Sequence, residues 1–224
     1  SGKETWTDEH TLTSRSTVKT PFGELTCGSQ VSREEPGWAT ERFIKDLDRD
    51  LPIWEDWVLG SDPTVVDSTG LMAAHAEVGE SYLLECALGV PFFDFFAESR
   101  QGGLEQAVFD LFERDAYFQD LHRRYLAHQV ARVEAICRAC PIESFMVGCS
   151  WSCVSCIGPD LWRRWDAPVI RAIAEAVHRH GRLLHLHFHG KVRPVLADLA
   201  ALGCDCICPW ERGPGGDVDG LEGL

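Results

Sequence analysis

Three histidines stand at alternate positions in the stretch "HLHFHGKVRP", residues 185 to 194, directly before a glycine. Alternate residues of a β-strand share a face, so His185, His187 and His189 are predicted to point the same way, with His189 nearest the carboxyl end. Imidazole binds zinc at about 2.0–2.1 Å, and a catalytic zinc usually has three protein ligands. His187 and His189 are thus candidate metal ligands, and the deeper His185 is a candidate for orienting a ligand. The spacing equally allows three hydrogen-bonded interior histidines.

Two further donors are predicted at the same rim. Cys149 ends the strand "FMVGC", and Glu211 follows the strand "CDCICP". A thiolate or a carboxylate there would complete a mixed tetrahedral site with the two histidines. The glycine-rich stretch "ERGPGGDVDG", which contains Asp217, is a loop beside this site that either closes over a substrate or only connects elements.

The string "CSWSCVSC" places Cys149, Cys153 and Cys156 in a C-x3-C-x2-C arrangement directly after a strand. This spacing is found in radical enzymes whose three cysteines hold an iron–sulfur cubane. Ser155, however, stands where those enzymes usually carry an aromatic residue. The alternative is that these are small buried thiols with one rim ligand among them.

The other cysteines have simpler interpretations. Cys137 and Cys140 form a C-x2-C pair at the C-terminus of a predicted helix, where the helix dipole opposes a thiolate, so a redox role is not expected. The alternating cysteines of the next strand are most simply core residues; these are Cys204, Cys206 and Cys208.

The elements that must position these residues alternate between strand and helix. The pattern predicts a strand at 143–150, a helix at 159–181, a strand at 182–189, a helix at 191–203 and a strand at 204–209. A βαβαβ order implies parallel strands with right-handed crossovers, in a doubly wound sheet or a (β/α)8 barrel. No glycine-rich phosphate loop follows these strands, which disfavours a nucleotide-binding sheet. A barrel has its chemistry at the carboxyl ends of its strands.

Upstream of this segment the pattern changes. Residues 10–27 predict a β-hairpin around a Pro-Phe-Gly break, within an appendage of residues 1–35. One or two short helices are predicted between Trp38 and Val58, two helical pieces between Gly79 and Gly102, and two helices over 104–140 that part near Arg114.

Length and composition limit the class of protein. The chain has 224 residues, is 45% hydrophobic and carries a formal charge of −14, which indicates a globular domain that repels nucleic acid. We expect one domain over residues 1–224. No apolar run approaches the about 18 residues needed to span a bilayer, so no membrane segment is expected. Ten cysteines in a long chain without an apolar leader favour the cytoplasm.

Residues 140–224 resemble the uroporphyrinogen decarboxylase superfamily. Four features match in order, namely the helix start Gly158–Trp162, Pro168, the H-x-C-G strand end at His187–Gly190, and the G-x-D-x-x-x-P strand Gly203–Pro209. The following loop, with Glu211 and the run from Gly216 to Asp219, also looks like the family's. The resemblance implies a (β/α)8 TIM-type barrel with its site at the carboxyl rim. The first and last residues, "SGKETW" and "GDVDGLEGL", lead us to expect that this barrel is incomplete.

The family has two branches with different chemistry. In the corrinoid-linked methyltransferases, the H-x-C strand supplies ligands to zinc, which activates a thiol that exchanges a methyl group with a corrinoid protein. His187 matches the family's histidine, but His189 stands where cysteine is expected. In the decarboxylases no metal is used, and arginines bind an acidic tetrapyrrole.

These features favour a zinc-assisted methyltransferase that acts on a small-molecule substrate, with His187, His189 and Cys149 as ligands, and His185, Glu211 and Asp217 around substrate or ligands. A corrinoid on a partner protein is the implied methyl carrier. Three alternatives stay open, which are a uroporphyrinogen decarboxylase, a non-catalytic barrel that binds a small molecule, and an iron–sulfur radical enzyme.

Overall fold

The computed structural model describes residues 2–218, so Asp219 lies outside the described residues. Within that range the protein has an α/β fold with eight α-helices, an antiparallel sheet and a parallel sheet of four strands each. The chain divides into two compact units. The first is made of residues up to Asp62 with Phe96–Asp115, and the second of Pro63–Phe95 with the residues from Ala116 onward. A single domain over the whole chain stays a prediction.

The first unit contains the antiparallel sheet. Its strands are β1 (Gly2–Trp6), β2 (Thr11–Thr20), β3 (Gly23–Ser32) and β4 (Trp38–Glu41), in chain order. The predicted hairpin is confirmed as β2 and β3, which pair from Thr11↔Ser32 to Thr20↔Gly23. Two outer strands, β1 and β4, extend that hairpin into a sheet.

Helix α1 (Leu47–Leu59) follows this sheet. It begins after Asp46, whose side chain accepts a hydrogen bond of 3.0 Å from the Arg49 amide, as a helix N-cap should. The predicted helical segment between Trp38 and Val58 is thus one helix, and its first four residues are instead β4. The other complete helix of this unit is α4 (Gly103–Glu113).

The second unit contains the parallel sheet. Its strands are β5 (Glu85–Gly89), β6 (Ser144–Cys149), β7 (Leu183–Phe188) and β8 (Cys206–Cys208), in the order β5-β6-β7-β8. The prediction of helix over Glu85–Gly89 was wrong, because a short apolar run bounded by glycine has no periodicity that separates strand from helix. Neighbouring strands follow chain order, as in a (β/α) barrel. Residues 2–218 contain four parallel strands, and closure into eight stays a prediction.

Helices connect the strands of this sheet. Helix α2 (Thr69–Val78) precedes β5. Apart from α4, the helices that follow β5 are α3 (Phe92–Ser99), α5 (Asp115–Ala139), α6 (Val154–Trp165), α7 (Ala167–Arg179) and α8 (Leu196–Ala200). The predicted break near Arg114 is confirmed, since α4 ends at Glu113 and α5 begins at Asp115. Helix α2 had no counterpart in the sequence prediction.

The helix predicted over 159–181 is two helices. Helices α6 and α7 part at Asp166, and Pro168 lies in the first turn of α7, where the missing amide of proline costs nothing. Helix α7 packs on β7 with Val169, Ile173 and Val177 buried, as its spacing predicted. This packing holds β7 with one face against helices.

None of the helices in residues 2–218 combines the length and the apolar character needed to cross a membrane.

Candidate functional site

Strand β7 presents different residues on its two faces. Leu184, Leu186 and Phe188 are fully buried on the face toward the helices. His185 and His187 alternate with them on the other face and pair in register with Met146 and Gly148 of β6. The predicted alternation of the histidines is confirmed for these two, and His189 follows directly after the strand ends. The other face of the sheet therefore carries imidazole toward its carboxyl edge.

Six side chains on this face form a continuous chain of contacts, which we call the histidine row. In order along the row they are Glu85, His185, Cys208, His187, His189 and Glu211. They come from β5, β7, β8 and the residues that follow β7 and β8. The side chain of His185 is 19% exposed and that of His189 is 42% exposed, while the carboxylates at the two ends, Glu85 and Glu211, are each 32% exposed. His189 is therefore more accessible than His185.

The inner half of the row centres on a sulfur atom. Nε2 of His185 lies 2.9 Å from Sγ of Cys208, and Nδ1 of His185 lies 3.1 Å from both carboxylate oxygens of Glu85. The Glu85 carboxylate therefore receives the Nδ1 proton, which leaves Nε2 to accept a proton from the thiol. Burial raises the pKa of the Cys208 thiol, and the neighbouring Cys206 and Glu85 raise it further.

The outer half joins two imidazoles. Nδ1 of His187 lies 3.3 Å from Sγ of Cys208, and Nε2 of His187 lies 2.7 Å from Nε2 of His189, with the ring planes at 86°. Nδ1 of His189 lies 3.0 Å from Oε1 of Glu211. Burial lowers the pKa of His187, and the neighbouring histidines lower it further. The hydrogen bond from His189 holds the pKa of Glu211 below its usual range, so Glu211 is a carboxylate that accepts from the ring.

Two arrangements of ring protons satisfy the outer half. In the first, His187 donates from Nε2 to His189, and the single Cys208 proton points to Nδ1 of His187 instead of to Nε2 of His185. In the second, His187 donates from Nδ1 to sulfur and both Nε2 lone pairs point at each other, which requires a cation between them. The first arrangement links the row by hydrogen bonds, and the second is the one in which the two Nε2 atoms would act as ligands of a cation.

Gly190 fixes the backbone at the end of the row. Its φ of 80° lies in the left-handed region, and an added Cβ would lie 2.4 Å from Oγ of Ser155. Its amide donates to Oε2 of Glu211 at 2.5 Å. A glycine is therefore required here both for conformation and for space, and its amide helps to place the Glu211 carboxylate beside His189.

The structure does not bring Cys149 to the histidines. In register, Cys149 pairs with Phe188, so its side chain points to the helix face of the sheet, away from His187. It is fully buried, and burial raises the pKa of its thiol well above the usual value. The end of the strand was predicted correctly. Side chains of a strand alternate between its two faces, however, and the Cys149 sulfur lies on the helix face and not on the histidine face.

Asp217 holds the loop after β7 and does not face the row. Its carboxylate accepts the amides of Val192 at 2.9 Å and Arg193 at 3.1 Å. The Asp217 carbonyl also accepts from Nε of Arg193 at 2.6 Å. The glycine-rich loop is thereby tied to the segment that follows His189.

Sequence reasoning missed two members of the row. Cys208 was taken as core packing, but its register partner is His187, which places its sulfur on the histidine face. Glu85 lies in the stretch taken as helical, and its carboxylate also accepts from Ser144 at 3.0 Å. Aligning the strand "CDCIC" with "HLHFH" as parallel neighbours would have found Cys208.

The nitrogen, sulfur and oxygen atoms of the row that could bind a metal ion follow one another along the row and do not surround a common point. In the described part of the chain, no three His, Cys, Asp or Glu side chains are grouped as the ligands of a metal ion would be. Two donors do converge on one point, which are the Nε2 atoms of His187 and His189. The row therefore contains one pair of facing imidazole nitrogens.

Fold and row together define an α/β protein with a histidine–cysteine–carboxylate site at the edge of a parallel sheet. Neither a protein-family model nor a curated protein matches the sequence. One solved structure with a similar fold is a methyltransferase from Methanosarcina mazei, with a TM-score of 0.52 and 12% sequence identity. The match covers 79% of this chain and 50% of that one, so the chain spans about half the length of that structure. At this identity the likeness shows the fold.

Proposed function

We propose that the protein is a methyltransferase whose active site is the histidine row. The observation that carries the proposal is the contact chain Cys208–His187–His189–Glu211 at the carboxyl edge of the parallel sheet. Chemistry in barrels of this kind lies at that edge. The likeness in fold to a methyltransferase and the resemblance of residues 140–224 to the uroporphyrinogen decarboxylase superfamily support the same reaction. Strand order along the sheet supports the barrel that the resemblance implies.

The group that we propose for His187 and His189 is zinc. Histidines that bind zinc usually donate their other ring N–H to an acceptor that fixes the ring. Both rings fit this rule, since Nδ1 of His189 faces Glu211 and Nδ1 of His187 faces Cys208. Their Nε2 atoms then point to one position, and a small increase of their separation of 2.7 Å would admit an ion. Cys149 has no place in this set.

Zinc bound there would lower the pKa of a substrate thiol and hold it as the thiolate that exchanges a methyl group. The protein's own residues orient the site. Glu211 fixes the ring of His189, and the Gly190 amide fixes Glu211. Cys208 fixes the ring of His187, and on its other side the Cys208 thiol donates to His185, whose ring is oriented by Glu85. The methyl carrier that we propose is a corrinoid on a partner protein, as the resemblance implies.

The test measures bound metal and methyl transfer on the same samples. The protein is purified without a polyhistidine tag, and its metal content is determined by mass spectrometry. Methyl transfer from methylcobalamin to a small thiol is followed by the loss of methylcobalamin absorbance. We expect zinc near one equivalent per chain and measurable transfer, and the loss of both in His187→Ala.

The matched control is His178→Ala. His178 lies in α7 and pairs with Asp205 at 2.8 Å, away from the row. This variant should keep zinc and activity. Active protein without metal would remove zinc from the proposal, whereas zinc-loaded protein that transfers no methyl group to any small thiol would remove methyl transfer.

A further inference from the structure

Two cysteines flank the first turn of α6 at the same edge of the sheet as the histidine row. Cys153 is the N-cap residue of α6, and Cys156 lies in its first turn. Their sulfur atoms are 3.3 Å apart, with the Cys153 thiol as donor. Cys153 is buried and Cys156 is exposed. The pair thus has one sulfur that reagents reach and a second sulfur directly behind it.

We infer that Cys153 and Cys156 are a redox pair that forms a disulfide by exchange with a low-molecular-weight disulfide. The inference goes beyond the proposed function and does not rest on it. Sulfur atoms at 3.3 Å need to close to about 2.05 Å to bond, which small rotations of two side chains in a short turn supply. Because α6 is interrupted at Gly158, with φ 75° and ψ 163°, this turn can adjust without moving the rest of the helix.

The exchange proceeds in two displacements. The exposed Cys156 loses its proton to solvent and attacks one sulfur of the small disulfide, which releases the first small thiolate and leaves a mixed disulfide. Cys153 then gives up its proton and attacks Sγ of Cys156, which releases the second small thiolate. The two released thiolates take up two protons. In sum, the protein loses two electrons and two protons, and one small disulfide becomes two thiols.

Burial, together with the contact with Cys156, raises the pKa of Cys153 to about 11. Cys153 therefore stays a thiol until Cys156 has reacted, which sets the order of the two displacements. The order predicts that the two single-cysteine variants behave differently.

The chain contains a second C-x2-C pair that lacks this arrangement. Cys137 and Cys140 are both buried at the end of α5, and the Cys140 thiol donates to the carbonyl of Ile136 at 3.3 Å. A buried pair with one sulfur directed at backbone gives no access to the small disulfide. Cys137 and Cys140 are thus a built-in control with the same spacing.

The redox pair lies against the outer end of the histidine row. Ser155, between the two cysteines, accepts the Lys191 amide at 2.8 Å, and a Cβ built on Gly190 would lie 3.7 Å from Sγ of Cys153. Closing the disulfide moves this turn and loosens the hydrogen bond to Lys191. The oxidation state of the pair thereby acts on the segment that follows His189.

The experiment equilibrates the protein in buffers that run from pure glutathione to pure glutathione disulfide. The protein is then denatured, so that buried thiols also react, and is alkylated, digested and measured by mass spectrometry. Cleavage after Arg138, Trp151 and Trp162 separates Cys137, Cys140 and Cys149 from a peptide that contains only Cys153 and Cys156. In oxidising buffer we expect this peptide to escape alkylation and to lose the mass of two hydrogen atoms. Cys137 and Cys140 should stay alkylated throughout.

The variants test the order of the steps. Cys153→Ser should accumulate glutathione on Cys156, whereas Cys156→Ser should leave Cys153 unmodified.

In the oxidised wild type, hydrogen exchange at the Lys191 amide should be faster than in the reduced protein. The inference is overturned if both cysteines remain alkylated in pure glutathione disulfide, or if glutathione persists on Cys156 of the wild type as it does in Cys153→Ser. Unchanged exchange at Lys191 in a sample that carries the disulfide would overturn its effect on the histidine row.

Discussion

Cys208 occupies an unusual place because one sulfur faces two imidazoles. Nε2 of His185 and Nδ1 of His187 lie 2.9 and 3.3 Å from it, on opposite sides along the row. The thiol has one proton, so it donates to one ring and accepts from the other. Cys208 therefore joins the inner carboxylate–histidine pair to the two outer histidines. Its role is to position His187, whatever group the outer histidines bind.

Cys208→Ala leaves Nδ1 of His187 without its partner, so the ring is free to turn away from His189. Loss of such a partner typically lowers metal affinity by about 10–100-fold. We expect a loss of this size in zinc affinity, measured by competition with a chromogenic chelator. Cys208→Ser, which keeps a donor and acceptor at this position, should recover much of it.

Cys206→Ala is the matched control for this prediction. Cys206 lies two residues away in β8, is exposed, and pairs in register with His185, whereas Cys208 pairs with His187. Its removal should leave zinc affinity unchanged. Equal losses in the two variants would show that β8 as a whole, and not the sulfur of Cys208, determines the site.

At the scale of elements, β7 is the strand on which the site is built. Its helix-side residues are completely buried, whereas Leu183 at its start is 45% exposed. Leu186→Ala would leave a cavity between β7 and its helices at a cost of about 2–5 kcal/mol in the free energy of unfolding. Leu183→Ala should cost less than about 0.5 kcal/mol. Chemical denaturation of both variants measures the difference, and equal costs would contradict the packing of β7 described above.

The segment after β7 is held by one carboxylate. Asp217 accepts the amides of Val192 and Arg193, so Asp217→Ala removes both acceptors at once. We expect faster hydrogen exchange at these two amides and little change at Leu186, whose amide is in the sheet. Asp160→Ala, at a carboxylate that is 97% exposed, should change none of them. Unaltered exchange at Val192 in Asp217→Ala would mean that other contacts order this segment.

Elements with strong periodicity could be predicted from the sequence. The hairpin, the strands β6, β7 and β8 and the helix break at Arg114 follow from alternation, helical spacing and glycine stops. Strand β5 could not be predicted in this way, because three apolar residues between Glu85 and Gly89 fit either structure until a neighbouring strand pairs with them. Residues between elements were likewise placed by tertiary contacts, as Asp217 shows.

The candidate site was predictable only in part, for a related reason. Alternation within one strand put His185 and His187 on one face, and chain order put Glu211 near His189. Which residues of neighbouring strands share that face depends on register, and a shift of one residue exchanges the faces. Register placed Cys208 on the histidine face and Cys149 on the other.

At the scale of the whole molecule, the fold alone does not determine the reaction. The methyltransferase from Methanosarcina mazei matches this chain at 12% sequence identity, a level at which a common fold can carry different chemistry. The residues of the histidine row therefore decide which chemistry this fold can carry. A parallel sheet is usually covered on both faces, and the barrel that we propose would enclose the half-exposed histidine face.

The interior of the second unit contains two carboxyl groups that face no cation in the described contacts. Asp94 accepts the amides of Trp151 and Ser152, and Asp166 accepts the amide of Phe93 at 2.7 Å. Each has a second carboxyl oxygen, buried, without a hydrogen-bond partner among the described residues. Burial raises the pKa of both groups, and burial together with the neighbouring Asp94 raises the pKa of Asp166 to about 8.

This raised pKa makes stability depend on pH. In the unfolded chain an aspartate has a pKa of about 3.9, so between about pH 4 and pH 8 only the folded state keeps the proton on Asp166. Asp166 therefore stabilises the fold most in acid, and its contribution declines by up to about 1.4 kcal/mol per pH unit until about pH 8. Asp166→Asn cannot ionise, so its free energy of unfolding should rise relative to wild type as the pH increases and level off above pH 8. Guanidinium unfolding of both proteins from about pH 5 to about pH 9 measures this difference. The free energy of unfolding of the control Asp160→Asn should follow the pH dependence of the wild type. If Asp166→Asn also follows the pH dependence of the wild type, Asp166 is ionised in the folded protein.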